Sequence, residues 1–170
     1  MRTDRLASPQ ATTCCAKATG AAAETCSRTA AAICVSVDNQ VVHGIPGPRI
    51  LKEGEIASVD VGVEYEGYFS DAAQTIPIGA VDESKRALMD ATQTALAKGI
   101  QKCRPGFQLS DISHAIQTHV EANGYSVVRA LVGHGIGRAL HEEPQLPNYG
   151  PPNRGPRLMK GMVLAIEPMI

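Results

Sequence analysis

Asp60 and Asp71 are the first candidate catalytic groups in this sequence, because both lie on one predicted β-hairpin. Valine alternates with polar residues around Asp60, which is the period of a half-buried strand, and a turn signal follows. If Tyr65-Glu66 is the turn, Asp60 faces Asp71 directly; if Glu66-Gly67 is the turn, Asp71 faces Gly62 and lies diagonal to Asp60. Either register places both carboxylates on one face, where a cation or a shared proton would relieve their repulsion. The alternative is a solvated hairpin with its acidic residues outward.

Two further side chains could complete a metal site. His134 stands in a Gly-His-Gly-Ile-Gly sequence, which allows close approach of backbone and ligand. Glu167 lies within the apolar segment 162–170, and burying an unpaired carboxylate costs several kcal/mol, so it should have a cation or stay protonated. Three carboxylates and one imidazole suit a divalent ion: manganese, iron(II), cobalt or zinc. The hairpin pair could bridge two such ions.

Strands and helices must position these side chains. Apolar and β-branched patterns predict strands in addition to the hairpin, at residues 33–37, 41–43, 125–132 and 162–170. Helical spacing predicts one helix from Asp82 to about Lys98, stopped by Gly99, and another from Ser110 to Asn123. Prolines exclude a helix between residues 142 and 160, so a long rigid loop is expected there.

Composition narrows the function classes. The net charge of −1, with both signs interspersed, gives no basic stripe for nucleic acid. No run approaches the ~18 apolar residues of a membrane span. The five cysteines are odd in number and lack CxxC spacing, which indicates a reducing compartment and no thiolate zinc site. Chemistry on a small molecule or a peptide is therefore favoured.

The chain divides into two parts that differ in amino-acid composition and periodicity. Residues 1–32 are rich in Ala, Thr and Ser without a persistent period, so we expect a disordered or wrongly joined segment, or an organellar targeting sequence. Residues 33–170 have the texture of a folded domain.

Six motifs in residues 33–170 together resemble the type I methionine aminopeptidases. They are Val41-Val42-His43-Gly44-Ile45-Pro46, Val59-Asp60-Val61, Ser70-Asp71, Gly133-His134-Gly135-Ile136-Gly137, His141-Glu142-Glu143-Pro144-Gln145 and Ile166-Glu167-Pro168-Met169. The resemblance implies an α/β (α+β) pita-bread fold, in which helices cover a curved antiparallel sheet. It also implies removal of the initiator methionine from nascent polypeptides by attack of metal-activated water.

The resemblance assigns roles to individual residues. It implies that Asp60 binds one ion, that Asp71 bridges two, and that His134 and Glu167 bind the other. Glu167 would also carry a proton to the leaving amine. Cobalt, manganese, iron(II) or zinc would fill up to two sites per chain.

The substrate contacts also follow from the resemblance. His43 resembles the histidine near the scissile amide nitrogen, and His141 resembles the one that steadies the tetrahedral intermediate. Cys34 matches a residue that lines the methionine pocket. Leu140, however, stands where the family usually has Phe, so the pocket departs from the family pattern.

The sequence departs from the family at both ends. The family has a second bridging glutamate downstream of the Glu-Pro-Met motif and a helical segment upstream of Ile33, and the 170 residues contain neither. We therefore expect a chain truncated at both ends, incomplete at the C-terminus of the fold, with one of its two metal sites weakened.

Two other functions remain open. One is a non-catalytic pita-bread module that binds peptides or proteins, and the other is a proline-directed peptidase of the same fold. For the leading interpretation, the expected partners are nascent polypeptide N-termini near the ribosome, without specific nucleic acid binding or a membrane. We expect a cytoplasmic monomer, with organellar targeting as the alternative location.

Overall fold

The computed structural model describes residues 33–170, which divide into two compact units. Of the described residues, the first unit contains 33–85 together with Ile136–His141, and the second contains Arg86–Gly135 and Glu142–Ile170. The disorder and targeting predictions for residues 1–32 lie outside the described residues.

The first unit is built on an antiparallel sheet of three strands. Strands β1 (Ile33–Val37), β2 (Ile56–Tyr65) and β3 (Tyr68–Pro77) follow one another in sheet order. The predicted strand at residues 33–37 and the predicted hairpin are both confirmed. The pairing of Ile33 with Val61 fixes the register of β1 on β2.

The turn of the hairpin decides between the two predicted registers. Tyr65 pairs with Tyr68, so Glu66 and Gly67 form the turn. Both have positive φ, 50° and 78°, which is the backbone conformation of the two-residue turn that suits the right-handed twist of a hairpin. Asp71 consequently pairs with Gly62, as the second of the two registers requires.

The two faces of this sheet differ in chemistry because side chains alternate along each strand. The apolar face forms a core of Ile33, Val35, Val37, Leu51 and Ala57, with Val59, Val61, Ile76 and Ile78 packed against it. Burial of each large side chain contributes roughly 1.5–3 kcal/mol. The opposite face is therefore the one that carries the polar residues, and it includes both aspartates of the hairpin.

The prediction of a strand at residues 41–43 is wrong. This segment has no regular structure, and His43 is exposed at a φ of 58°. The chain contacts β1 at Gly44 instead, whose carbonyl accepts from the Val35 amide at 2.7 Å and whose amide donates to Ser36 Oγ at 3.0 Å. A Cβ at Gly44 would lie 2.2 Å from the Val35 carbonyl oxygen, so only glycine allows this approach. Contacts at Gly44, rather than a strand ladder at residues 41–43, join this part of the loop to the sheet.

Asp38 ties β1 to the start of β2 and to the first helix. Its Oδ1 accepts from the Ile56 amide at 3.1 Å and from Lys85 Nζ at 2.7 Å, and Lys85 also donates to the Gly54 carbonyl at 2.7 Å. The Lys85 hydrogen bond, with that from the Ile56 amide, holds the pKa of Asp38 below its usual value.

Replacing Lys85 with methionine is expected to lower the free energy of unfolding by about 1 kcal/mol at pH 7, because a partly exposed ion pair and its hydrogen bonds are lost. A carboxyl whose folded pKa is lowered stabilises the fold above its unfolded pKa, and this contribution disappears as the pH falls through the folded value. The difference from the wild type should therefore narrow as the pH falls below about 4. Urea unfolding at pH 7 and pH 3 measures this change. Lys98→Met, at an exposed position of the same helix, is the control, and an equal, pH-independent loss in both variants would contradict the assignment.

The second unit contains most of the helical structure. Helix α1 spans Glu83–Lys102, and helix α2 spans Leu109–Ala122. Ile112, Ile116 and Val120 are fully buried along α2, so the predicted apolar stripe is confirmed. In the described part of the chain, neither helix is long and apolar enough to cross a membrane.

The prediction that Gly99 ends the first helix is wrong, because α1 continues to Lys102. Gly99 is buried inside the helix, and a Cβ there would lie 3.0 Å from Ile116 Cδ1 and 3.3 Å from Ile112 Cγ2. The glycine therefore serves the close packing of α1 on α2 rather than a helix stop.

The second sheet has three short strands. Strand β4 (Gly133–Gly135) lies between β5 (Glu142–Leu146) and β6 (Leu164–Ala165), and both pairings are antiparallel. His134 is the middle residue of the central strand. The position of the histidine is therefore fixed by neighbours on both sides.

Three strand and loop predictions need correction here. Residues 125–132 form no strand; Val127 is buried in the helical core, so its apolar character reflects packing rather than pairing. The predicted loop at 142–160 contains no helix, as expected, but it begins with β5. Of the predicted strand at 162–170, only Leu164–Ala165 pairs, since Pro168 has no amide hydrogen to extend a ladder.

The proline-rich segment that follows β5 is fastened to the N-terminus of α2. Asp111 Oδ1 accepts from the Asn153 amide at 2.8 Å, and Oδ2 accepts from the Gln108 amide at 2.7 Å. The hydrogen bond from Gln108, followed by that from Asn153, lowers the pKa of Asp111. Ser110 Oγ accepts from the Arg154 amide at 2.7 Å. These bonds agree with the predicted rigidity of the segment.

Candidate metal centre

The polar face of the first sheet carries two of the four predicted ligands. Asp60 pairs with Ala73, and Asp71 pairs with Gly62, so the two half-buried aspartates are diagonal neighbours on one face. Diagonal positions of this kind lie about 7–8 Å apart at Cβ, close enough for carboxylates to approach a shared cation. The structure therefore brings Asp60 and Asp71 together as the second hairpin register predicts.

Cys34 and Leu140 border the same face. Cys34 is buried and lies opposite Asp60 in the pairing of β1 with β2. Leu140 is buried, and its Cδ1 lies 3.7 Å from the place of a Cβ at Gly62. An apolar side chain and a thiol thus flank the two aspartates, and the role of Cys34 in a methionine pocket stays a prediction.

The other two predicted ligands meet in the second unit. His134 Nε2 lies 3.0 Å from Glu167 Oε1. The imidazole is buried, with 8% of its side chain exposed, and the Glu167 side chain is 34% exposed. The resemblance implied that both groups bind the same ion, but no distance between them followed from the sequence.

The hydrogen bond at His134 Nδ1 indicates whether Nε2, which faces Glu167, is a donor or an acceptor. His134 Nδ1 lies 2.8 Å from the Gly135 carbonyl oxygen, which can only accept, so Nδ1 carries the proton. In a neutral imidazole Nε2 is then an acceptor, and it faces a carboxylate oxygen, which is also an acceptor. Two acceptors at 3.0 Å repel unless a proton or a cation lies against both. A divalent ion bound by imidazole and carboxylate meets this need, so the donor set fits a metal.

The glycines beside His134 make its strand position possible. A Cβ at Gly133 would lie 2.3 Å from the Ala165 carbonyl oxygen, and a Cβ at Gly135 would lie 2.3 Å from the Glu143 carbonyl oxygen. Neither neighbour is a flexible side chain. The glycines predicted to allow close approach of a ligand instead allow close approach of the two flanking strands.

The two remaining histidines of the prediction lie in the first unit. His43 and His141 are both exposed, His43 in the irregular loop after β1 and His141 next to buried Leu140. Their roles toward a substrate stay predictions. Sequence reasoning also missed Asn148, which is completely buried and donates to the Glu167 carbonyl at 2.7 Å. No signal in the sequence could have identified it, because its acceptor is a backbone carbonyl far along the chain.

Comparison with known proteins places the chain in a family. Residues 8–170 match metallopeptidase family M24. Methionine aminopeptidase 1 of Bacillus subtilis is 56% identical over 138 residues, which are 81% of this chain and 56% of that protein. The chain thus spans a little over half the length of this relative.

Solved structures confirm the predicted α+β pita-bread fold. A methionine aminopeptidase from Thermotoga maritima superposes with a TM-score of 0.79 and 52% identity, over 80% of this chain and 55% of that one. A prolidase from Pyrococcus furiosus superposes with a TM-score of 0.71 at 24% identity, over 81% and 40% of the two chains, which is a likeness of fold alone. Fold, histidine-carboxylate pair and family match agree, and the chain belongs to metallopeptidase family M24.

Proposed function

We propose that this chain has the function of a metal-dependent aminopeptidase that removes the N-terminal methionine of nascent polypeptides. The observation that carries the proposal is the 3.0 Å approach of two acceptors, His134 Nε2 and Glu167 Oε1, whose repulsion a bound cation would relieve. Identity of 56% to a protein named methionine aminopeptidase 1 supports the choice of substrate.

We assign the metal ligands to both units of the chain. Asp60 and Asp71 are the proposed ligands of the hairpin, and His134 and Glu167 are those of the second unit. Hard carboxylate oxygens with one imidazole favour manganese, iron(II), cobalt or zinc, in up to two sites. Bound ions would polarise the scissile carbonyl and make water nucleophilic near neutral pH.

The side chains of this protein would do the remaining chemistry. In the proposal, Glu167 carries a proton from the attacking water to the leaving amine, a role that a carboxylate can fill as general base and then general acid. His43 donates a hydrogen bond near the scissile nitrogen, and His141 donates one to the developing oxyanion; each such donor is worth roughly 10²–10³ in turnover. Cys34 lines the pocket that receives the methionine side chain.

The proposed setting follows from the substrate. Nascent polypeptide N-termini are the proposed partners, encountered near the ribosome in the cytoplasm by a monomeric enzyme. The net charge of −1 supports neither nucleic acid nor an anionic membrane as a partner.

Metal binding is tested by thermal unfolding of the full chain with increasing MnCl₂. At 100 times the dissociation constant, binding adds about 2.7 kcal/mol, which corresponds to a rise in Tm of roughly 5–10 °C. His134→Ala should abolish the rise, while His119→Ala, on the surface of α2, should retain it. The absence of any rise for the wild type would contradict the proposal and favour a metal-free binding module.

Peptide cleavage then separates the two enzyme hypotheses. Release of methionine from Met-Ala-Ser, with no cleavage of Xaa-Pro peptides, is the expected result. Preferential cleavage of Xaa-Pro peptides would assign the chain to the proline-directed alternative.

A further inference from the structure

We propose that Asn148 is a positioning residue, which anchors the backbone of Glu167 so that its carboxylate stays within reach of His134. This inference rests on the proposed function for its consequence, because it treats Glu167 and His134 as metal ligands. The anchoring itself can be tested without a metal.

The contact between Asn148 and Glu167 is direct and has a single possible polarity. Asn148 Nδ2 lies 2.7 Å from the Glu167 carbonyl oxygen. Since a carbonyl oxygen only accepts, the amide nitrogen must point toward Glu167 and Oδ1 must point away. The orientation of the Asn148 side chain is therefore determined by this one bond.

Packing stability does not account for an amide at this place. Asn148 is completely buried, and its Oδ1 accepts no hydrogen bond from any residue that the structure describes. A buried acceptor without a donor destabilises a fold, and an apolar side chain would remove that cost but would leave the Glu167 carbonyl without its donor from residue 148. Asn148 thus contributes its Nδ2 donor, and the acceptor is the Glu167 carbonyl.

Glu167 needs an anchor because it lies outside the strand ladder. Strand β6 ends at Ala165, and farther along the chain the Val128 amide donates to the Met169 carbonyl at 2.8 Å. Between these two points the Asn148 bond holds the chain, next to Pro168, which restricts φ. A glutamate has several rotatable bonds, so a fixed Cα position is the simplest way to keep Oε1 at 3.0 Å from His134 Nε2.

The test compares Asn148→Leu with Gln117→Leu in the full chain. Leucine keeps the branching of asparagine at Cγ but is larger and has no donor, and Asn148→Ala, smaller and also without a side-chain donor, serves as a second variant if leucine does not fit. Gln117 is the matched control, because its Oε1 accepts from the Gly150 amide at 2.9 Å and so holds the same segment without contacting Glu167. Calorimetric titration with Mn²⁺ should show affinity reduced about tenfold in the Asn148 variants and unchanged in Gln117→Leu. Equal affinities in all variants, or an equal loss in Gln117→Leu, would overturn the proposal.

A metal-free measurement separates this inference from the proposed function. Release of the Glu167 backbone should accelerate exchange of the Val128 amide hydrogen about fivefold in Asn148→Leu, but not in Gln117→Leu. If the wild type binds no Mn²⁺, the proposed function fails, and the exchange result alone decides the anchoring. Unchanged exchange at Val128 in Asn148→Leu would overturn the anchoring even if the chain binds metal.

Discussion

Glu167→Gln is expected to lower the rate of methionine release from Met-Ala-Ser by at least about 100-fold. Glutamine keeps the volume and one carbonyl oxygen, but it has no negative charge to bind a divalent ion and cannot carry a proton between water and amine. Loss of a general acid-base group alone typically costs 10²–10⁴ in rate. The measurement is kcat with saturating Mn²⁺, so that weakened metal binding is separated from lost proton transfer.

The control must remove a carboxylate without touching the proposed centre. Asp90→Asn does so, because Asp90 is exposed on α1 in the same unit as Glu167. Its kcat should equal that of the wild type within a factor of two. Full activity of Glu167→Gln would show that the carboxylate is neither a ligand nor a proton carrier. The proposal that His134 binds a metal together with Glu167 would then fail.

The sequence was sufficient where a local pattern determines the structure. The alternation around Asp60 predicted the hairpin, since a strand with one buried face must alternate whatever lies beyond it. The spacing of Ile112, Ile116 and Val120 predicted the buried stripe of α2 for the same reason. The register of the hairpin stayed open between two turns, and the positive φ of Glu66 resolved it.

Local patterns failed where a residue serves a distant neighbour. Glycine is a residue type that often ends a helix, but at Gly99 the missing Cβ allows Ile116 of the next helix to pack closely. The β-branched residues before Gly133 indicate burial, and burial against helices gives the same pattern as burial in a sheet. Neither case contains a local signal that identifies the partner.

In the candidate centre, too, some residues could be predicted from local sequence and others could not. His134 and Glu167 could be recognised from sequence because each is chemically out of place, a histidine among glycines and a carboxylate in an apolar segment. Asn148 could not be recognised, because its recipient is a backbone carbonyl 19 residues away and no side chain marks that position. The proposed ligands are thus easier to predict than a residue proposed to position them.

Gly133→Ala is expected to have the largest effect on stability, about 3 kcal/mol or a fall in Tm of roughly 6–12 °C. The added Cβ would lie 2.3 Å from the Ala165 carbonyl oxygen and 3.4 Å from the Glu167 amide nitrogen. These atoms belong to a backbone paired with β4, so relief requires β6 to move away. Thermal unfolding measures the effect. Gly47→Ala is the control, because a Cβ there meets no atom within 4 Å, and its Tm should match that of the wild type.

The same substitution should separate His134 from Glu167. His134 pairs with Ala165, two residues before Glu167, so movement of β6 changes the distance between Nε2 and Oε1 directly. We therefore expect Mn²⁺ to cause no rise in the Tm of Gly133→Ala, although this variant is folded below its own Tm. A variant that is less stable but keeps the full rise would mean that the β4–β6 pairing supports the fold without setting the geometry of the centre. Loss of both the stability and the Mn²⁺-dependent rise in Tm would show that the histidine-carboxylate pair depends on the backbone contact at Gly133.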